Sequence, residues 1–177
     1  MASCGALSTT GIAFHVLCAL ASCPLIFPYF DYCSAVQTDI TGQLSLKLKR
    51  LMNACVRYIF DLRWDDHVSP SYSQLGWLQA DDRRAYLLGC LIFVILRTGV
   101  PPYLAFKLTL CPRPRAASRA SPLDLAVPTC RTATYQRSFA AVAPTFWNSL
   151  PISVRSADSL GSFKRSLHQH LRQRGVA

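Results

Sequence analysis

Two pairs of adjacent carboxylates come closest to the chemistry of an active site: Asp65-Asp66 in RWDDH and Asp81-Asp82 in QADDRRAY. Adjacent aspartates can hold a divalent metal, but a two-metal polymerase centre needs a further carboxylate brought in from elsewhere. Asp81-Asp82 stands at the head of a long apolar run, where acids suit the positive end of a helix dipole. Asp65-Asp66 follows a cationic stretch and reads as a turn. All nine carboxylates of the chain are Asp, and the absence of Glu removes half of the usual acid–base repertoire. The eight cysteines, at 4, 18, 23, 33, 55, 90, 111 and 130, include no pair with the two-residue gap of a zinc knuckle or redox motif. Cys111, Cys130, His168 and His170 could together supply four zinc ligands, but His-x-His beside a basic helix end reads as solvated. There is no Gly-rich phosphate loop, no nucleophile elbow and no metal-spaced His pair. The expectation is a chain with no catalytic residue, no metal site, no cofactor and no small-molecule substrate.

What remains is charge. The net charge of +10 is concentrated at one end: residues 113–177 hold ten Lys/Arg against two Asp, and residues 1–112 hold nine against seven. Arg outnumbers Lys 15 to 4, and Arg is the side chain that forks onto phosphate. A polyanion, or the acidic face of a protein, is the partner that such a balance implies. The candidate phosphate contacts are Lys47, Lys49, Arg50 and Arg57 in KLKRLMNACVR, and Arg131, Arg137, Lys164, Arg165 and Arg172 in the basic tail. The second set opens within RTATYQRSFAAVAPTFWNSLP, which carries Arg131 and Arg137 together with four aromatic residues and no acid. Tyr135, Phe139, Phe146 and Trp147 read as a packing latch that pins the tail to a core, with base stacking as the alternative.

These residues need elements to position them. Leu44, Leu48, Leu51, Met52, Cys55, Val56 and Ile59 step by four, three, one, three, one and three, the stripe of an amphipathic helix. Ser69-Pro70 reads as a capping hydroxyl followed by Pro at the first helical position, with Leu75, Trp77 and Leu78 burying a short helix. A helix opened by Asp81-Asp82 has the body AYLLGCLIFVIL, apolar nearly all round and so central to a core; Gly99 and Pro101-Pro102 stop it. The stretch from 109 to 130, with CPRPRAASRASP, loses all periodicity and reads as a linker without core residues. TATYQRSFAAV reads as a short strand or hairpin with Tyr135 and Phe139 inward, and Pro144 as the start of a helical turn. Ser159 caps a terminal helix running to about Arg172, with Leu160, Phe163, Leu167 and Leu171 inward. The fold class is therefore mainly α: a small helical bundle, then a Pro/Arg linker, then a small C-terminal unit with a short hairpin and a terminal amphipathic helix. Residues 12–108 form the helical body, 109–130 the linker and 131–177 the basic unit. Gly11–Phe30 is uncharged over 20 residues, but Pro24 and Pro28 interrupt it. A buried helix pair, over residues 12–23 and 25–36, is favoured over a membrane anchor. Cysteines set within apolar runs read as reduced thiols of an intracellular, reducing compartment, nucleus or cytoplasm.

The blocks LIFPYFDYCSAV, KLKRLMNACVRYIFDL, SPSYSQLGWLQADDRRAYLLGCLIFVIL, RTATYQRSFAAVAPTFWNSLPISVR and SLGSFKRSLHQHL follow one another in this order from about Val16 to Leu171. In order and spacing they resemble the C-terminal region of LINE-type (non-LTR) retrotransposon reverse transcriptases of Jockey-like and related animal lineages. The resemblance implies a thumb and post-thumb segment that helps to hold template RNA and primer DNA, against a palm domain that this chain lacks. It carries over no catalytic residue, because the Tyr-x-Asp-Asp hairpin of the palm has no counterpart here, nor does the endonuclease. Residues 1–11 are an unmatched extension. The resulting expectation is a non-catalytic fragment that binds RNA or DNA backbone. The alternatives are a structural remnant with no activity of its own, or a small membrane protein anchored by Gly11–Phe30.

Overall fold

A computed structural model describes residues 27–32, 34, 40–111 and 121–175. The expected helix over 12–23, most of the Gly11–Phe30 segment and the centre of the Pro/Arg stretch lie outside the described residues; a helical turn is present at 27–31. The described chain is mainly α-helical, with eight helices after that turn: α1 (Gly42–Phe60), α2 (Ser69–Leu75), α3 (Ala80–Thr98), α4 (Pro102–Ala105), α5 (Ala133–Gln136), α6 (Phe139–Ser149), α7 (Ile152–Arg155) and α8 (Leu160–Gly175). None of its helices is long and apolar enough to cross a membrane.

The long helices start and stop where local chemistry directs. The Thr41 hydroxyl accepts the Leu44 N–H at the head of α1, and Asp61 closes that helix with φ of 50°. Asp81 and Asp82 occupy the first turn of α3, and Gly99 ends it with φ of 68°, a conformation that costs glycine nothing. The Ser159 hydroxyl accepts the Ser162 N–H at the head of α8. At α2 the sequence reading is off by one position: Val68 is the cap, Pro70 lies in the first turn, and no side chain caps the helix.

One core joins the middle of the chain to its end. Leu88, Ile92, Phe93 and Ile95 of α3 pack with Ala143 and Trp147 of α6 and with Phe163, Leu167 and Leu171 of α8. The Phe163 ring lies between two others, 4.5 Å from Phe93 and 5.8 Å from Trp147, stacked in both cases. A second cluster gathers Met52, Val56, Ile59 and Phe60 of α1 with Tyr72 and Ala80. The apolar stripe of α1 is wider than the core beneath it: Met52, Val56 and Ile59 are buried, whereas Leu44 and Leu51 are exposed. The two clusters are tied at Asp81, which pairs with Lys49 of α1 and Arg84 of α3 and accepts from the Ser45 hydroxyl at 2.8 Å. Burial alone would raise the Asp81 carboxyl, but its hydrogen bonds with Lys49 and Ser45 outweigh that and hold it below the usual range.

The expected hairpin over TATYQRSFAAV does not form, and the described residues contain no sheet. Ala133–Gln136 is a helical turn and α6 begins at Phe139. A four-residue spacing such as Tyr135 to Phe139 suits a strand face and a helix face alike. Ala140, Ala141 and Ala143 decide for the helix, since alanine has the highest helix propensity. Pro144 consequently sits inside α6 rather than at its start. Its missing N–H costs a helical hydrogen bond, and its full burial against the core offsets part of that loss. The stretch read as a linker also contributes to the core. Leu125 is 1% exposed. Its N–H donates to the Asn148 side-chain oxygen and its carbonyl accepts from the Asn148 amide, both at 2.8 Å. Leu110 and Leu125 form an isolated antiparallel bridge, with the Cys111 N–H on Asp124 O and the Ala126 N–H on Thr109 O.

Helices α3 and α8 approach each other closely at Gly89. A methyl group placed there would lie 2.7 Å from Leu167 Cδ2 and 3.2 Å from the Phe146 ring. Gly89→Val is therefore expected to destabilise the fold by about 1–3 kcal/mol through overpacking, although glycine is the weaker helix former. Urea denaturation followed by circular dichroism measures this directly. A variant as stable as the parent would mean that α3 and α8 can separate at no cost.

Candidate nucleic-acid interface

The terminal helix α8 turns its apolar stripe inward: Phe163, Leu167 and Leu171 are all but fully buried. That orientation leaves Lys164, Arg165 and Arg172 exposed on its outer side. There they line a cleft of about 980 Å³ bounded by α8, α2, the 76–79 connection and the first turns of α3. The same lining includes the aromatic residues Tyr72, Trp77 and Tyr86, of which Tyr72 is buried. The Gly76 turn, with φ of 66°, swings the chain from α2 into that lining.

The polar contacts of the cleft fix its shape. Arg172 donates to the Ser73 carbonyl at 3.3 Å and so ties α8 to α2. The Tyr72 hydroxyl donates to Asn53 at 2.9 Å, which anchors that ring to α1. Burial raises the Tyr72 phenol well above its ordinary value, so it stays protonated. His168 meets the Tyr86 ring edge-on, with centroids 6.0 Å apart. Partial burial, then the neighbouring Arg172, holds His168 below the usual imidazole value, against a hydrogen bond with the Gly76 backbone. The positive charge of the cleft therefore comes from Lys164, Arg165 and Arg172 rather than from histidine. Asp82 is the acid on the lining, and burial raises its carboxyl. Trp77 is braced from behind: Phe27 contacts it edge-on at 4.7 Å, and Arg83 lies 3.6 Å over the Phe27 ring while gripping Asp31 through two 2.6 Å hydrogen bonds.

The other sequence-derived cations lie elsewhere. Lys47 and Arg50 are exposed on α1, and Lys49 is engaged with Asp81. Arg57 turns back on its own chain. It donates to the carbonyls of Arg63, Trp64 and Asp66 at 3.0–3.3 Å and so clamps the loop after α1. Arg131 and Arg137 are exposed beside α5, away from the cleft lining. Of the expected latch, Trp147 is buried and Phe139 and Phe146 are half-buried against the core, whereas Tyr135 is 41% exposed and does not point inward. The reason is again the helical conformation, which ends the α5 turn before the chain reaches the core.

Asp65 and Asp66 sit in an exposed turn, where the Asp66 carboxylate accepts the Arg63 N–H at 2.8 Å. Among the described residues no three His, Cys or Asp side chains gather as a metal site. Cys55, Cys90, Cys111 and Cys130 are free thiols. The cleft itself was not legible in the sequence. Its walls come from segments some ninety residues apart; the only signal was that Trp77 and Lys164 both fall next to strong apolar stripes. The chain matches no protein-family model, and neither its sequence nor its fold finds a match among curated proteins or solved structures.

Proposed function

We propose that this chain is a non-catalytic, nucleic-acid-holding unit of the thumb type found in LINE reverse transcriptases, and that the α8 cleft is where it grips the phosphate backbone. The observation that carries the reading is that Lys164, Arg165 and Arg172 line one cleft together with Trp77 and Tyr86. Cations in the lining suit phosphates, and aromatic rings beside them suit bases, whatever their sequence. A single strand is the expected ligand, because its unstacked bases are free to meet the rings. The sequence blocks that resemble the reverse-transcriptase thumb and post-thumb support the same assignment. In this reading the chain works in the nucleus or cytoplasm, against a palm domain carried by another segment or another protein.

Binding of single-stranded RNA, followed by gel shift across a salt series, tests this. Each neutralised phosphate adds about 0.7 to the slope of log affinity against log salt for a single strand. The triple variant Lys164→Gln, Arg165→Gln, Arg172→Gln is expected to lose about 2 from that slope and on the order of tenfold or more in affinity at low salt. Trp77→Ala is expected to weaken binding with the salt slope unchanged, because stacking releases no counterions. Parental affinity in the triple variant, or binding indifferent to salt, would remove the cleft from the reading.

A further inference from the structure

The cations of the α8 cleft enclose one group whose charge is not fixed. Lys164, His168 and Arg172 recur every four residues, so they form one row along α8, and all three line the cleft. The row is tied to the turn after α2: His168 hydrogen-bonds with the Gly76 backbone, and a methyl group placed at Gly76 would lie 3.9 Å from Arg172 Nη1. The surroundings of the imidazole decide its charge. On α8, Arg172 opposes a proton on it, and Lys164 stands one turn before it. On α3, Arg83 opposes one as well, but is itself gripped by Asp31 through two hydrogen bonds. The Tyr86 ring meets the imidazole edge-on, and burial raises its phenol, which keeps it neutral. Asp82 is the one carboxylate of the lining, and burial raises it too, so its support for a nearby cation fades as pH falls. Burial and the two arginines prevail over the Gly76 hydrogen bond, and the imidazole of the free chain is neutral near pH 7.

We infer, resting on the reading of the α8 cleft as a backbone site, that His168 couples nucleic-acid binding to pH: a phosphate held by Lys164 and Arg172 offsets the cations around the imidazole, His168 takes up a proton, and the strand is held more tightly as the solution becomes acidic. One proton comes from solvent for each complex formed, because a phosphodiester stays ionised throughout and has none to give. The direction follows from which form the anion favours. A bound phosphate favours the imidazolium, so His168 titrates at a higher pH in the complex than in the free chain. Affinity therefore rises as pH falls through the value in the complex and levels off below the value in the free chain. The charge added at acid pH lies in line with two fixed cations, where a strand that follows α8 gains a third contact.

Fluorescence anisotropy of the full chain with oligouridylate, whose bases gain no proton in this range, tests the coupling between about pH 8 and pH 5.5 at fixed salt. Affinity of the parent is expected to rise on the order of tenfold toward the acid end, and the salt slope to steepen there by up to about 0.7, the share of one more cation. His168→Gln, with its fold checked by far-UV circular dichroism, is expected to flatten both responses, whatever it does to affinity at the alkaline end. His67→Gln and His170→Gln, outside the cleft lining, are expected to keep them, as is Asp82→Asn, which removes the lining's carboxylate. In the parent, NMR should show the His168 imidazole titrating at a higher pH with oligouridylate bound than without. An imidazole that titrates alike in both states overturns the inference, even where His168→Gln does not fold. A pH response that survives in folded His168→Gln overturns it too. Affinity that is flat with pH in the parent but lost in the triple Lys164, Arg165, Arg172 variant overturns the coupling and leaves the cleft as the backbone site. Parental affinity in the triple variant removes both.

Discussion

Trp147→Ala is expected to destabilise the fold by about 3–5 kcal/mol, the largest loss available from any of the four aromatic residues around α6. Three separate losses combine. The indole is 3% exposed and stacks on Phe163, which itself stacks on Phe93, so its removal opens a cavity at the junction of α3, α6 and α8. Its ring N–H donates to the Leu123 carbonyl at 3.0 Å, so the substitution also strands an acceptor. The segment carrying Leu123 and Leu125 then loses one of its side-chain hydrogen bonds to the core, keeping those of Asn148 and Arg155. In a thermal melt followed by circular dichroism the midpoint should fall by on the order of 10 °C. Trp147→Phe separates the contributions, since it retains the stack and loses the hydrogen bond; about 1–2 kcal/mol should be lost there. Tyr135→Ala is the internal control. That ring is 41% exposed, and its truncation should move the midpoint little. Equal losses at 135 and 147 would mean that the core is not centred on α6.

This contrast marks where sequence reasoning reaches. Helix α3 was legible because its signals agree: two acids at the head, an apolar body, and Gly99 at the stop. The stripe of α8 was legible for the same reason, and all three of its central residues are buried. The Tyr135–Phe139 segment was misread because a spacing of four serves both periods and the alanines that decide the matter carry no pattern of their own. Leu125 was missed because its burial depends on Asn148, 23 residues onward, whose amide supplies both hydrogen bonds that a strand neighbour would supply. The α1 stripe was correctly placed but undivided: composition cannot tell which half of a wide apolar face meets the core. The basic tail was visible as charge, but which of its cations share a cleft depends on the crossing of α8 over α2. Of the nine cations read as phosphate contacts, Lys49, Arg57 and Arg172 make contacts within the fold, and Arg172 lines the cleft with Lys164 and Arg165.

Asp124→Ala is expected to cost as much as the loss of Trp147, about 3–5 kcal/mol, because it strands a cation rather than a cavity. Arg155 is 8% exposed, and its Nη1 donates to Asp124 Oδ1 at 2.6 Å. Its Nε is buried with no hydrogen-bond partner, so the guanidinium already lacks one acceptor. Removing the carboxylate leaves a largely buried cation without its counter-ion. Asp124→Asn keeps the shape and an acceptor oxygen and should cost less, which separates charge from packing. The double variant Asp124→Leu, Arg155→Met should recover much of the loss, since an apolar pair of similar volume avoids the desolvation that the ion pair must overcome. The same pair sets an acid limit on the fold. The hydrogen bond from Arg155 holds the Asp124 carboxyl below its ordinary range. A carboxyl with a depressed native value contributes stability that is fully present above the unfolded value of about 3.9 and is lost as pH falls through the lower native one. Urea midpoints taken from pH 5 downward should therefore decline in the parent, and decline less steeply in the Asp124→Leu, Arg155→Met variant. Parallel declines in the two proteins would place the acid sensitivity elsewhere, with Asp81 and its Lys49 and Arg84 partners the next group to vary.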